Sequence, residues 1–223
     1  MRLLVVSFLL AMSTFSNAQE GIDLMALQQC TMINHTDGNG VRIGWWMTDY
    51  YWEYVMESNA SFDPASKRDI LNIMGEYNLF AVVVGKRDYE EVLRYPSTDG
   101  LRNTMILYGQ DSAEYYPLEE EDLSEDLQFI LDIFRPVFSK ILGEFGENLH
   151  IFVFPKTNDK GELIADPLGS TDIKLTVVGE EFDWNIPLDA LLPEKKCPED
   201  GELHNGSWNY CPFHGNELVD VED

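Results

Sequence analysis

Two short segments near the end of the chain carry residue types whose spacing implies specific chemistry: Cys197-Pro198-Glu199-Asp200-Gly201 and Cys211-Pro212-Phe213-His214-Gly215. Superimposed, they form an internal repeat of Cys-Pro-x-(Asp/His)-Gly, each copy followed shortly by a leucine, Leu203 and Leu218. A metal-binding knuckle needs a tight turn that holds two ligands three residues apart. A glycine directly after the second ligand gives the backbone the freedom that turn requires. Trp208-Asn209-Tyr210, between the copies, reads as a short strand-like piece leading into the second knuckle.

Across about residues 196–219 these features resemble a zinc ribbon, whose two knuckles are normally Cys-x-x-Cys. The second ligand of each knuckle is replaced here, by Asp200 in one and His214 in the other. The resemblance implies a tetrahedral site of Cys197, Asp200, Cys211 and His214, with zinc as the ion and His204 as a substitute for Asp200. Its role is expected to be structural, because a catalytic zinc keeps an open position in a cleft, which a compact terminal ribbon does not offer. The rival is a Cys197–Cys211 disulfide, which would close a loop of about fifteen residues and contribute roughly 3 kcal/mol in the chain-entropy account. Cys30 is left over, and after Leu24 and Leu27 it reads as a small buried hydrophobe.

What surrounds these segments sets the compartment. Residues 1–18 read as a secretory leader, with Arg2 as the positive end, Leu3–Met12 as the apolar run and Ser16-Asn17-Ala18 as a small-x-small cleavage site. Its apolar run is too short to span a bilayer, and no later stretch of about 18 apolar residues follows, so no membrane insertion is expected once the leader is removed. The expected location is exported, periplasmic or extracellular. Without the leader, 40 acidic residues stand against 14 basic ones, a net charge of about −26. Such a surface repels nucleic acid and anionic lipid, whose binding depends on neutralising phosphates with Lys and Arg. Partners are therefore expected to be a protein or a small ligand.

The remainder predicts an α+β fold, mainly antiparallel sheet packed with helices, over 19–193, with a ribbon-like module over 194–223. Asp23–Asn34 reads as a short helix. His35–Gly40 is a turn cluster, and an EF-hand alignment fails there because His35, Arg42 and Trp46 would fill the first, eighth and last loop positions. Gly44–Met56 reads as an aromatic helix whose rings pack in the core, with a sugar-stacking platform as the competing use. Asp63 and Pro64 open another helix with Ile70, Met74 and Tyr77 facing inward. Leu79–Val84 is an all-apolar run fit for a buried central strand. Thr104–Tyr108 and Glu114–Tyr116 form a strand pair. Ser124–Phe145 is the longest helix, kinked or split by Pro136. His150–Phe154 is a strand, in which His150 is read as a hydrogen-bonded sheet residue. Ile173–Val177 and Phe182–Ile186 form a hairpin with one buried face.

No hydrolase elbow, His-Glu-x-x-His, phosphate loop or dinucleotide fingerprint occurs, so no catalytic or organic-cofactor residues are assigned. From Trp45-Trp46-Met47-Thr48-Asp49-Tyr50-Tyr51-Trp52-Glu53 to the terminal knuckles, the chain also resembles a family of exported bacterial proteins of uncharacterised function that end in such a ribbon. That resemblance implies one architecture and an exported location, and no activity. The leading expectation is non-enzymatic binding of a protein or ligand. The alternatives are an exported hydrolase using an Asp/Glu pair and a glycan binder using Trp45, Trp46, Tyr50 and Trp52.

Overall fold

The computed structural model describes residues 23–142 and 144–221; the leader expected at 1–18 lies outside them. Asp23 caps the first helix, α1 (Leu24–Thr31), its carboxylate accepting the Met25 N–H at 2.9 Å. The chain passes straight into β1 (Met32–Asn34), turns at Asp37–Gly40 and returns as β2 (Gly40–Met47), antiparallel to β1. The helix expected over Gly44–Met56 is therefore divided. Trp45 and Trp46 belong to β2, and only from Thr48, whose backbone is extended, does α2 (Asp49–Ser58) begin. The boundary escapes periodicity because Gly44 to Met47 are all buried, so neither a two-residue nor a helical rhythm shows.

Asp63 caps α3 (Pro64–Met74), accepting the N–H groups of Ala65 and Ser66 at 2.9 and 3.2 Å, with Pro64 in the first turn where its missing N–H is harmless. Tyr77, expected on that helix, instead opens β3 (Tyr77–Arg87). There follow β4 (Leu93–Arg94), α4 (Thr98–Arg102), β5 (Ile106–Tyr108), β6 (Glu114–Tyr115) and a single 3-10 turn at Glu120–Asp122. The long helix α5 (Glu125–Leu142) runs through Pro136 without ending there, and a separate turn, α6 (Glu144–Glu147), succeeds it. Proline removes one rung of the ladder, and burial of Leu127, Ile130 and Leu131 on one face offsets that loss. The chain then enters β7 (His150–Pro155) and the hairpin β8 (Ile173–Val177) and β9 (Glu180–Trp184), turning at Gly179 with φ +76°.

The strands make two antiparallel sheets around one core. In the first, β3 is central: β2 pairs along one edge, and β7 and β4 share the other. Leu79–Val84 is at most 2 % exposed, as the apolar run predicts. In the second the order is β6-β5-β8-β9. Rings join the two: Trp46 stacks on Phe80 at 6.2 Å and meets Trp184 edge-on at 6.3 Å, and the Trp184 indole N–H donates to the Thr31 carbonyl at 2.7 Å. Gly44 is required at this seam, because a Cβ there would lie 2.6 Å from the Phe182 ring. No helix among the described residues is long and apolar enough to cross a membrane.

After a 3-10 turn at Asp189–Leu191, β10 (Lys195–Lys196) lies between β11 (Leu203–His204) and β12 (Val219–Asp220) in a small third sheet. This terminal module has its own buried cluster of Cys197, Cys211 and Leu218, separate from the main core. It meets the body where Gly206 faces the Pro193 carbonyl, so closely that a Cβ would fall 2.1 Å from that oxygen.

Candidate metal centre

The two Cys-Pro segments fold alike, bond for bond. Cys197 N–H donates to the Glu202 carbonyl at 2.9 Å, and Gly201 N–H donates back to the Cys197 carbonyl at 2.9 Å. Fourteen residues on, Cys211 N–H donates to Asn216 at 2.8 Å and Gly215 N–H to Cys211 at 2.8 Å. Gly201 and Gly215 stand at φ +78° and +71°, a conformation costly for any residue with a Cβ, which explains the glycine in each copy. The turn aims backbone N–H groups at each sulfur: Glu199 and Asp200 at Cys197, Phe213 and His214 at Cys211. Asn216 Nδ2 ties the knuckles together by donating to Glu199 Oε2 at 2.8 Å.

Cys197, Cys211 and His214 converge. Their ligand atoms lie within 4.8 Å of one another, close enough to hold a metal ion. His214 Nδ1 is 3.5 Å from each sulfur. Zinc bonds of about 2.3 Å to sulfur and 2.0–2.1 Å to nitrogen at a tetrahedral angle set that separation at about 3.6 Å. The two sulfurs are buried, at 0 % and 2 % exposure. The three cysteines are free thiols with no pair at disulfide distance, so the Cys197–Cys211 bond weighed from the sequence is not formed in this structure.

Two further groups approach the trio. Asp200, in the knuckle position equivalent to His214, places Oδ2 3.6 Å from His214 Nδ1 and interacts with the Cys197 thiol. His204 comes from β11 and places Nε2 3.5 Å from Cys211 Sγ. Charge is shared accordingly. Burial pushes the Cys197 thiol up, against the N–H groups of Asp200 and Glu199. The same burial acts on Cys211, but the Phe213 and His214 N–H groups, with the Cys197 and His214 side chains, outweigh it and hold that thiol below its ordinary value. Cys211 in turn raises the His214 imidazole, helped by Glu199 and Asp200. The Glu202 N–H, then the Cys197 thiol and His214, lower the Asp200 carboxyl. Acidic sulfur beside basic imidazole is the charge pattern a cation takes over when it displaces the protons.

Elsewhere the structure corrects or completes the expectations. Trp208 follows a turn over Gly206 and Ser207, its N–H on the Asn205 carbonyl at 3.1 Å, and within Trp208–Tyr210 the strand-like pairing is confined to one antiparallel bridge from Tyr210 to Glu217. Of the proposed sugar platform, Trp45, Trp46 and Trp52 are at most 3 % exposed and only Tyr50 is half-buried, so those rings serve the core. Sequence reasoning did not anticipate a cavity of about 360 Å³ between α2 and α3, lined by Asp49, Glu53 and Glu76 among others. The i, i+4 spacing of Asp49 and Glu53 on one helix face is the signal the sequence carries for it. No protein-family model, curated protein or solved structure matches the chain.

Proposed function

We propose that the chain is an exported protein that binds a protein or small-ligand partner without catalysis, and that a structural zinc ion at Cys197, Asp200, Cys211 and His214 holds its terminal module. The observation carrying this reading is the pair of 3.5 Å contacts from His214 Nδ1 to two buried sulfurs, the edge lengths of a thiolate–imidazole tetrahedron. Asp200 holds the second-ligand position of its own knuckle and places Oδ2 3.6 Å from His214 Nδ1, which supports it as the fourth ligand. Free thiols favour the ion over the disulfide. Complete burial of both sulfurs on a small separate core favours a closed, structural site over an open, catalytic one. The apolar leader sequence and the acidic composition support export.

Chelation tests the structural role. Stripping the metal is expected to abolish amide protection across residues 195–220 while the two-sheet body keeps its melting temperature, because the cores are separate. Unchanged protection of the module after chelation would refute it.

A second reading, an exported hydrolase, is favoured by the α2–α3 cavity. Burial, then the charges of Asp49 and Glu57, raise the Glu53 carboxyl, whereas Lys156 Nζ sits 2.6 Å from Asp49. A carboxyl raised by burial beside one held by a lysine is an arrangement from which general acid–base hydrolysis can be built. Glycoside or ester turnover falling about 100-fold in Glu53→Gln would establish it; turnover unaffected by that change would remove it.

A further inference from the structure

Four of the five tryptophans lie in the main core at no more than 3 % exposure, and the fifth does not. Trp208 is 44 % exposed, and with it on the terminal module are Tyr210 at 62 % and Phe213 at 74 %. Two of these rings, Trp208 and Phe213, have a ring neighbour in the module. The His204 ring lies against Trp208 at 5.9 Å and Phe213 at 6.2 Å, joining them into one surface. Lys195 Nζ donates to the Trp208 carbonyl at 3.1 Å, tying down the backbone beneath that ring. Aromatic side chains fixed before binding lose little further entropy when a partner covers them.

Charge identifies the occupant. Between 194 and 221 the module carries Glu194, Glu199, Asp200, Glu202, Glu217 and Asp220 against Lys195 and Lys196. A second copy of a chain with net charge −25 would meet its own sign, and an anionic membrane surface is repelled in the same way. A guanidinium or ammonium group gains both from the acidic surroundings and from the faces of exposed rings. We infer that Trp208 and Phe213, braced by His204, form with the exposed Tyr210 a docking surface for a basic protein segment whose Arg or Lys residues stack on the rings. This rests on the metal-held module of the proposed function and names the partner class for it.

The test titrates a synthetic peptide of alternating Arg and Leu, and its Glu-for-Arg counterpart, into the full metal-loaded chain while the indole NMR signals are followed. The Trp208 signal is expected to shift saturably with the Arg peptide alone, and the four core indoles to stay still. Trp208→Ala and Phe213→Ala are each expected to weaken binding about tenfold, with metal content unchanged. Affinity in both variants equal to that of the unsubstituted chain, or no movement of Trp208, overturns the inference, because binding would then be diffuse attraction to an acidic protein or absent. Metal content is read on the same samples: one zinc per chain with no peptide binding refutes the docking surface alone, and absence of zinc from folded protein refutes the metal-held module beneath it.

Discussion

Asp200 and His204 compete for one place beside the sulfurs. Asp200 touches His214 and Cys197, two members of the trio, from the position its own knuckle gives to a second ligand. His204 reaches Cys211 from a neighbouring strand, its ring wedged between Trp208 and Phe213. The trio of mutually close ligand atoms includes neither, so Asp200 is proposed as the fourth ligand from its place in the knuckle, and His204 is left in hydrogen-bond contact with the Cys211 sulfur. Asp200→Asn is then expected to weaken zinc binding by about 100-fold or more, and His204→Ala by about tenfold, in competition with a chromophoric chelator. The reverse order would make His204 the fourth ligand. The trio itself was legible because each knuckle is a local turn written in five residues. His204 was legible as a substitute ligand from its residue type, but the sulfur it meets was not, since β10–β11 pairing brings it to Cys211.

At the scale of elements, the signals that read correctly are those whose physics is local. Asp63 and Pro64 announce α3, and the cap is as expected. Hydrogen bonds from the Ser66 hydroxyl first, then from the Ser66 and Ala65 N–H groups, lower the Asp63 carboxyl below its ordinary value. A folded-state pKa below the unfolded one contributes stability above the unfolded pKa of about 3.9, and loses it as pH falls through the folded value. Asp63→Ala should therefore melt earlier than the parent at neutral pH, with the gap closing below about pH 4. A gap constant from neutral to strongly acid pH would contradict the cap's charge. The β2–α2 junction was illegible for the opposite reason: both faces of the strand end are covered, and burial erases the rhythm that separates strand from helix.

Across the whole molecule, two economies of burial coexist. The body buries four tryptophans, Trp46 and Trp184 where the two antiparallel sheets meet and Trp45 and Trp52 among the rings of α2 and α5, an α+β outcome that alternating and all-apolar runs made readable. Sheet order was not readable, because β7 reaches the edge of β3 already used by the local β4 hairpin through long-range pairing that no local pattern records. The terminal module buries two sulfurs and a leucine and leaves its aromatic rings outside. So small an apolar cluster needs a cross-link or an ion to persist, and the account names the ion. Metal analysis with thiol counting, on protein purified without a metal-affinity tag, tests this most directly. The account predicts one zinc per chain and three titratable thiols after unfolding in chelator; no metal and a single thiol, from Cys30, would contradict it.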